Sequence, residues 1–105
     1  MSTLLIETEK ATLKYSPLSE KELQEIASEV TEVFGKLATF LGFSNSEVHH
    51  IRADNEADIE RAVFVMLVKW QQKQSSRTNY REVLAEALTK CKRRDMGEKV
   101  LAGKY

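Results

Sequence analysis

One cysteine, one proline and four glycines are all that 105 residues contain of the residues that staple, break or sharply turn a chain. The single thiol, Cys91, excludes an internal disulfide and the small disulfide-built folds, and it fits a reducing compartment. So little proline and glycine leaves room for few and short turns, which favours helices. No long hydrophobic run exists. The longest, Ala62 to Val68, falls far short of the ~20 residues that span a bilayer. The opening residues MSTLLIETEK lack a basic segment, and Leu4-Leu5-Ile6 is too short for the core of a secretory signal. There is also no excess of one charge: 16 basic side chains balance 16 acidic ones. That balance argues against a strongly basic nucleic-acid binder.

What is present is the composition of a soluble globular domain, 42% hydrophobic and 30% charged. The length suits one domain, and a chain of this size hides roughly 65% of its unfolded surface. The charges divide along the chain. Residues 1–60 hold 12 acidic and five basic side chains, net −7, and residues 61–105 hold four acidic and 11 basic, net +7. Such a division fits a dipolar surface suited to electrostatic pairing.

Residues 1–18 show no helical period and read as a tail or linker, with an abrupt start expected of a piece of a longer chain. Ser19 and Glu22 then form a capping box, with Leu18 and Leu23 as its hydrophobic staple. Leu23, Ile26, Ala27 and Val30 follow helical spacing, so a first helix is expected over about 20–30. Val33, Phe34, Leu37, Ala38 and Leu41 repeat the pattern, and Gly42 stands where a left-handed residue ends a helix. A second capping box, Ser44 and Glu47, opens a short surface helix with Val48 and Ile51 on its one apolar edge. Asn55 is the expected cap of a fourth helix, with Glu56 and Asp58 in its first turn. Its stripe is Ile59, Ala62, Val63, Met66, Leu67 and Trp70, and Phe64, Val65 and Val68 widen it into the central, most buried helix. It should end near Gln74. Thr78 is the expected cap of a fifth helix, lined by Tyr80, Leu84, Ala87, Leu88 and Cys91. Asp95 with Glu98 starts a sixth, which ends near Gly103. No segment reads as a strand. The fold class is all-α. Trp70, Leu37, Leu41, Leu67, Leu84 and Leu88 are the expected core.

The only histidines, His49 and His50, are adjacent. On a helix they point about 100° apart, so they do not share one ion. His50 has Glu47 three residues before it and Asp54 four after, on one face. Zinc needs about four ligands, and di-iron bundles need a second Glu-x-x-His. Neither set is present, so the pair reads as polar surface, with no metal, cofactor or catalytic residue assigned. Cys91 reads as a small core residue rather than a nucleophile. The run Lys90-Cys91-Lys92-Arg93-Arg94 could touch phosphate and gives the alternative reading, a nucleic-acid-binding helical domain using the basic C-terminal half.

Three stretches carry a resemblance. Phe34-Gly35-Lys36-Leu37-Ala38-Thr39-Phe40-Leu41-Gly42 is similar to the W-x-x-L-A-x-x-L-G signature of death domains, with Phe34 where the family usually has Trp. Glu47-Val48-His49-His50-Ile51 resembles the family's short third helix, and Met66-Leu67-Val68-Lys69-Trp70 resembles the M-L-x-x-W that ends its fourth. Leu84 to Leu88 and Asp95 to Val100 continue the likeness, which covers about residues 19–103. Val48 through Asn55 looks most like the ankyrin type.

The resemblance implies a six-helix antiparallel bundle over residues 19–105. It also implies a non-enzymatic module that binds another death domain, of its own kind or a different one, in cytoplasmic signalling or scaffold assembly. Partners would be other death-domain proteins, including a second copy, with no small-molecule substrate and no membrane insertion. Opposite charges favour a contact between two unlike patches. The acidic candidates are Glu25, Glu29, Asp54, Glu56 and Asp58; the basic ones are Arg77, Arg81, Lys92, Arg93 and Arg94; Arg52, beside Asp54, is a candidate anchor. Arg93→Glu is expected to weaken binding and leave melting nearly unchanged.

Overall fold

The computed structural model describes residues 17–75 and 77–104. Six α-helices follow in order: α1 Glu20–Glu29, α2 Phe34–Phe40, α3 Asn45–Asp54, α4 Ile59–Lys73, α5 Tyr80–Lys90 and α6 Arg94–Ala102. Among the described residues there is no strand, so the chain is an all-α bundle. The expected tail, residues 1–16, lies outside the described residues. Leu18, placed at its last position, belongs to the bundle: it is buried, and Gln71 of α4 accepts from its N–H at 2.7 Å and donates to its carbonyl at 3.2 Å.

Both capping boxes form. Ser19 Oγ accepts from the Glu22 N–H at 3.2 Å and Ser44 Oγ from the Glu47 N–H at 3.1 Å, and each glutamate carboxylate accepts the cap's N–H in return. The second helix starts one residue later than its apolar pattern, because Thr31–Val33 is a tight 3₁₀ turn. α2 ends as expected at Gly42, whose φ of 96° lets the Phe43 N–H reach the Ala38 carbonyl at 3.0 Å.

Three helix starts differ from the sequence reading. α4 is capped by Asp58, whose Oδ1 accepts from the Arg61 N–H at 3.0 Å, and not by Asn55. Asn55 instead closes α3, its Nδ2 donating to the Ile51 carbonyl at 2.8 Å. Asn79, not Thr78, caps α5, accepting from the Glu82 N–H at 3.1 Å, while the Thr78 hydroxyl pairs with Ser75. α6 begins at Arg94 with no side-chain cap, since the Asp95 carboxylate is taken by Arg93.

α4 is the central helix: Ala62, Val63, Met66 and Leu67 are fully buried, and Trp70 nearly so. Trp70 meets Tyr80 of α5 edge to face, with ring centroids 5.9 Å apart, a geometry favoured by the ring quadrupoles. Phe34, Leu37, Leu84 and Leu88 are buried as expected. Leu41 is only half-buried, because it is the last residue before the Gly42 turn. Ile59, the first residue of the helix, is exposed instead of lying on the core stripe, while Ala62 and Val63 of the same stripe are fully buried. α5 and α6 pack closely through Gly97, where a Cβ would meet the Ala85 carbonyl oxygen at 2.9 Å.

Candidate functional site

The division of charge along the sequence is partly consumed inside the fold. Among the described residues three ion pairs join the basic half to the acidic half. Lys73 of α4 donates to Glu47 of α3 at 2.5 Å and lies 4.6 Å from the centre of the Phe43 ring. Arg81 of α5 donates to Glu22 of α1 at 2.5 Å and to the Val100 carbonyl of α6 at 3.0 Å. Arg93 donates to the Glu32 carboxylate, to the Glu29 carbonyl at 2.6 Å, and to both oxygens of Asp95 at 3.1 and 3.2 Å.

These ties leave electrostatic marks. The Lys73 ammonium and the Ser44 N–H hold the Glu47 carboxyl down at about 2, against 4.5 for a free glutamate. Burial pushes Glu22 up, yet Arg81 and Ser19 leave it lowered overall. Arg93 lowers Asp95. Burial raises the Cys91 thiol, with Lys36 pulling the other way, so it is not poised as a thiolate nucleophile.

Of the eleven candidate residues, Arg81 and Arg93 are therefore cross-ties between helices. Side-chain exposures of 27% and 22% leave little of either to a partner. Replacing Arg93 by Glu would put a carboxylate against Glu32 and Asp95, so the expectation of unchanged melting does not hold. Arg94 is exposed and pairs with Glu98 along its own helix. Glu25 is half-buried and Glu29 exposed, both on α1. Arg52, Asp54, Glu56, Asp58, Arg77 and Lys92 are exposed and in no ion pair among the described residues.

Several of the charges that are in no ion pair among the described residues gather in two places, though Arg77 and Lys92 belong to neither. Asp54, Glu56, Asp58 and Glu60 run from the end of α3 to the first turn of α4. Beside them a hollow of about 310 Å³ is bordered by Asp58, Glu60, Arg61 and Phe64 of this segment and Gln24 of α1. The second place is an open groove of about 590 Å³ between α2 and α3. Phe40 and Val48 supply its apolar wall, and Lys36, His49 and Arg52 its polar rim. Phe40 is 47% exposed, and Lys90 Nζ stands 5.9 Å from its ring centre. Among the described residues no carboxylate lines this groove.

The sequence reading did not single out the groove. Its one local signal was Phe40, an aromatic on the polar side of α2. His49 lines the groove while His50 is exposed outside it, and the Glu47 expected beside His50 is bound by Lys73 and Ser44. Among the described residues no group of three His, Cys, Asp or Glu could hold a metal ion. The run Lys90–Arg94 does not form one basic face. Lys90 pairs with Glu86, Cys91 is buried, Arg93 turns inward, and Arg94 pairs with Glu98. No helix among the described residues is long and apolar enough to cross a membrane.

Compared with known families, residues 20–103 match the family model described as Death domain. No curated protein and no solved structure matches the chain.

Proposed function

From the premise that the chain belongs to the death-domain family, we propose that it is a non-enzymatic module that binds another death domain. Its setting is the assembly of a cytoplasmic signalling or scaffold complex, of the kind adaptors build in apoptosis. The observation that carries this reading is the charge left over after folding. The bundle satisfies several charges in cross-helix ties, and among the described residues it still displays an acidic segment in no ion pair, Asp54 to Glu60, and a groove lined by no carboxylate, with Lys36 and Arg52 on its rim. Complementary patches of this kind speed encounter and fix orientation more than they add affinity. A contact between exposed charges weakens as salt shortens the Debye length, from ~10 Å at 0.1 M to ~3 Å at 1 M.

The test is binding of the purified chain to a set of purified death domains that includes itself, followed by light scattering and calorimetry across salt concentrations. At least one complex is expected, tighter at low salt and weakened by Arg52→Glu with unchanged melting. No complex with any death domain at any salt concentration would refute the reading.

A further inference from the structure

We propose that the α2–α3 groove binds a small phosphorylated ligand with a flat heteroaromatic ring, of the purine nucleotide class. This goes beyond the proposed function and does not rest on it, since it concerns a small ligand and not a death-domain partner.

The groove's volume, about 590 Å³, lies within the ~300–1,000 Å³ typical of small-molecule sites. Its lining divides into two ends. Phe40 is the last residue of α2 and Asn45 the first of α3, so a ring and an amide stand beside the connection between the helices. Lys36 lies one helical turn back from Phe40, and His49 and Arg52 lie one and two turns on from Asn45. The cations therefore gather away from the aromatic end. Lys36, Asn45, His49 and Arg52 have no side-chain hydrogen bond or ion pair among the described residues, whereas Lys73, Arg81 and Arg93 direct theirs at carboxylates. Among the described residues no carboxylate lines the groove to repel an anion.

Each end selects one part of the ligand. The Arg52 guanidinium and the Lys36 ammonium match the oxygens of a phosphate, the first as a fork and the second as a point charge. The Phe40 ring, 47% exposed, offers a surface on which a base can stack. The Asn45 amide holds both donors and an acceptor, which suits the polar edge of a purine. A phosphorylated tyrosine side chain would also meet ring and cations, but it has no ring nitrogen for that amide. A nucleic-acid strand is disfavoured because the chain carries as many acidic as basic side chains, so further phosphates gain little.

Calorimetric titration of the full chain at low salt, with AMP and GMP as probes, tests this. At least one of them should bind, and its nucleoside and inorganic phosphate should each bind at least about tenfold more weakly. Arg52→Ala should reduce nucleotide affinity to the nucleoside's level and leave nucleoside binding unchanged. Phe40→Leu, which keeps apolar bulk and removes the ring, should reduce it towards that of phosphate. Both positions are exposed, so both variants should melt near wild type; if Arg52→Ala does not, Lys36→Ala replaces it. The inference is overturned if neither nucleotide binds, if phosphate alone binds as tightly as the nucleotide, or if both variants bind like wild type. Tighter binding of a short oligonucleotide or a phosphotyrosine peptide than of either mononucleotide also overturns it. Binding to another death domain in any of these cases leaves the proposed function standing.

Discussion

Two glycine-to-alanine changes measure how closely α5 and α6 are packed. At Gly97 an added Cβ would lie 2.9 Å from the Ala85 carbonyl oxygen and 3.0 Å from Thr89 Oγ1. The threonine oxygen can rotate away, at the expense of its own 2.9 Å bond to that same carbonyl. The carbonyl belongs to the backbone of α5 and cannot move without shifting the helix. Forcing a methyl group into such a contact costs ~1–3 kcal/mol. Against this, alanine is the better helix former by at most ~1 kcal/mol. At Gly35, in α2, a Cβ meets nothing within 4 Å, so only the favourable contribution remains. Gly97→Ala should therefore be less stable than Gly35→Ala by ~1–3 kcal/mol, since the propensity gain largely cancels between them. For a domain of this size each kcal/mol moves Tm by ~4–8 °C. Gly35→Ala should melt at or slightly above wild type, and Gly97→Ala several degrees below Gly35→Ala. Calorimetry of both, with urea titration to show an unchanged slope, makes the comparison. Equal Tm values would mean that the two helices have slack at Gly97 and that the close approach is not a constraint.

Other consequences concern the polar framework. Lys92 holds φ at 63° in the turn after α5, where its N–H and that of Arg93 close back on Thr89 and Leu88; Lys92→Gly should relieve the left-handed strain and stabilise by about 0.5–1 kcal/mol in urea unfolding. Glu47 has its carboxyl near 2 when folded and 4.5 when free, so its support is complete above pH 4.5 and fades as pH falls towards 2. Glu47→Gln should flatten the loss of stability in that window, with Tm measured every half pH unit; identical slopes for both proteins would sink the assignment. Arg93→Ala removes four donated bonds, one to the Glu29 carbonyl at the end of α1, and should destabilise by about 1–3 kcal/mol. Its Tm, compared with that of Arg52→Ala, checks this, because Arg52 makes no such bonds among the described residues and its loss should leave Tm nearly unchanged.

The features legible in the sequence were those decided within one helical turn. Ser19 with Glu22 and Ser44 with Glu47 each contain donor, acceptor and spacing in four residues, and both caps form. Gly42 and Gly103 announce left-handed turns because glycine adopts them without strain, whereas Lys92 adopts the same conformation without any local sign. Where two cap residues stood close together, local chemistry could not choose. Asn55 and Asp58 are both good caps, and the choice followed from Asn55 being already bonded to the preceding helix. Arg81 and Arg93 looked like surface charges because their partners, Glu22 and Glu32, lie 59 and 61 residues away. The groove was invisible for the same reason: its wall and rim come from two helices whose relative placement no periodicity encodes. Ile59 obeys helical spacing yet is exposed at the first residue of α4, where periodicity alone does not tell an end residue from a core one.

The placement of Arg81 has a mechanical consequence. It holds the opening turn of α1 through Glu22 and the closing turn of α6 through the Val100 carbonyl, so the polypeptide enters and leaves the bundle at neighbouring points. A pull applied at those two points would load this single guanidinium first. Fused at both ends within a longer protein, the unit would add little length to it when intact and would yield from this corner first.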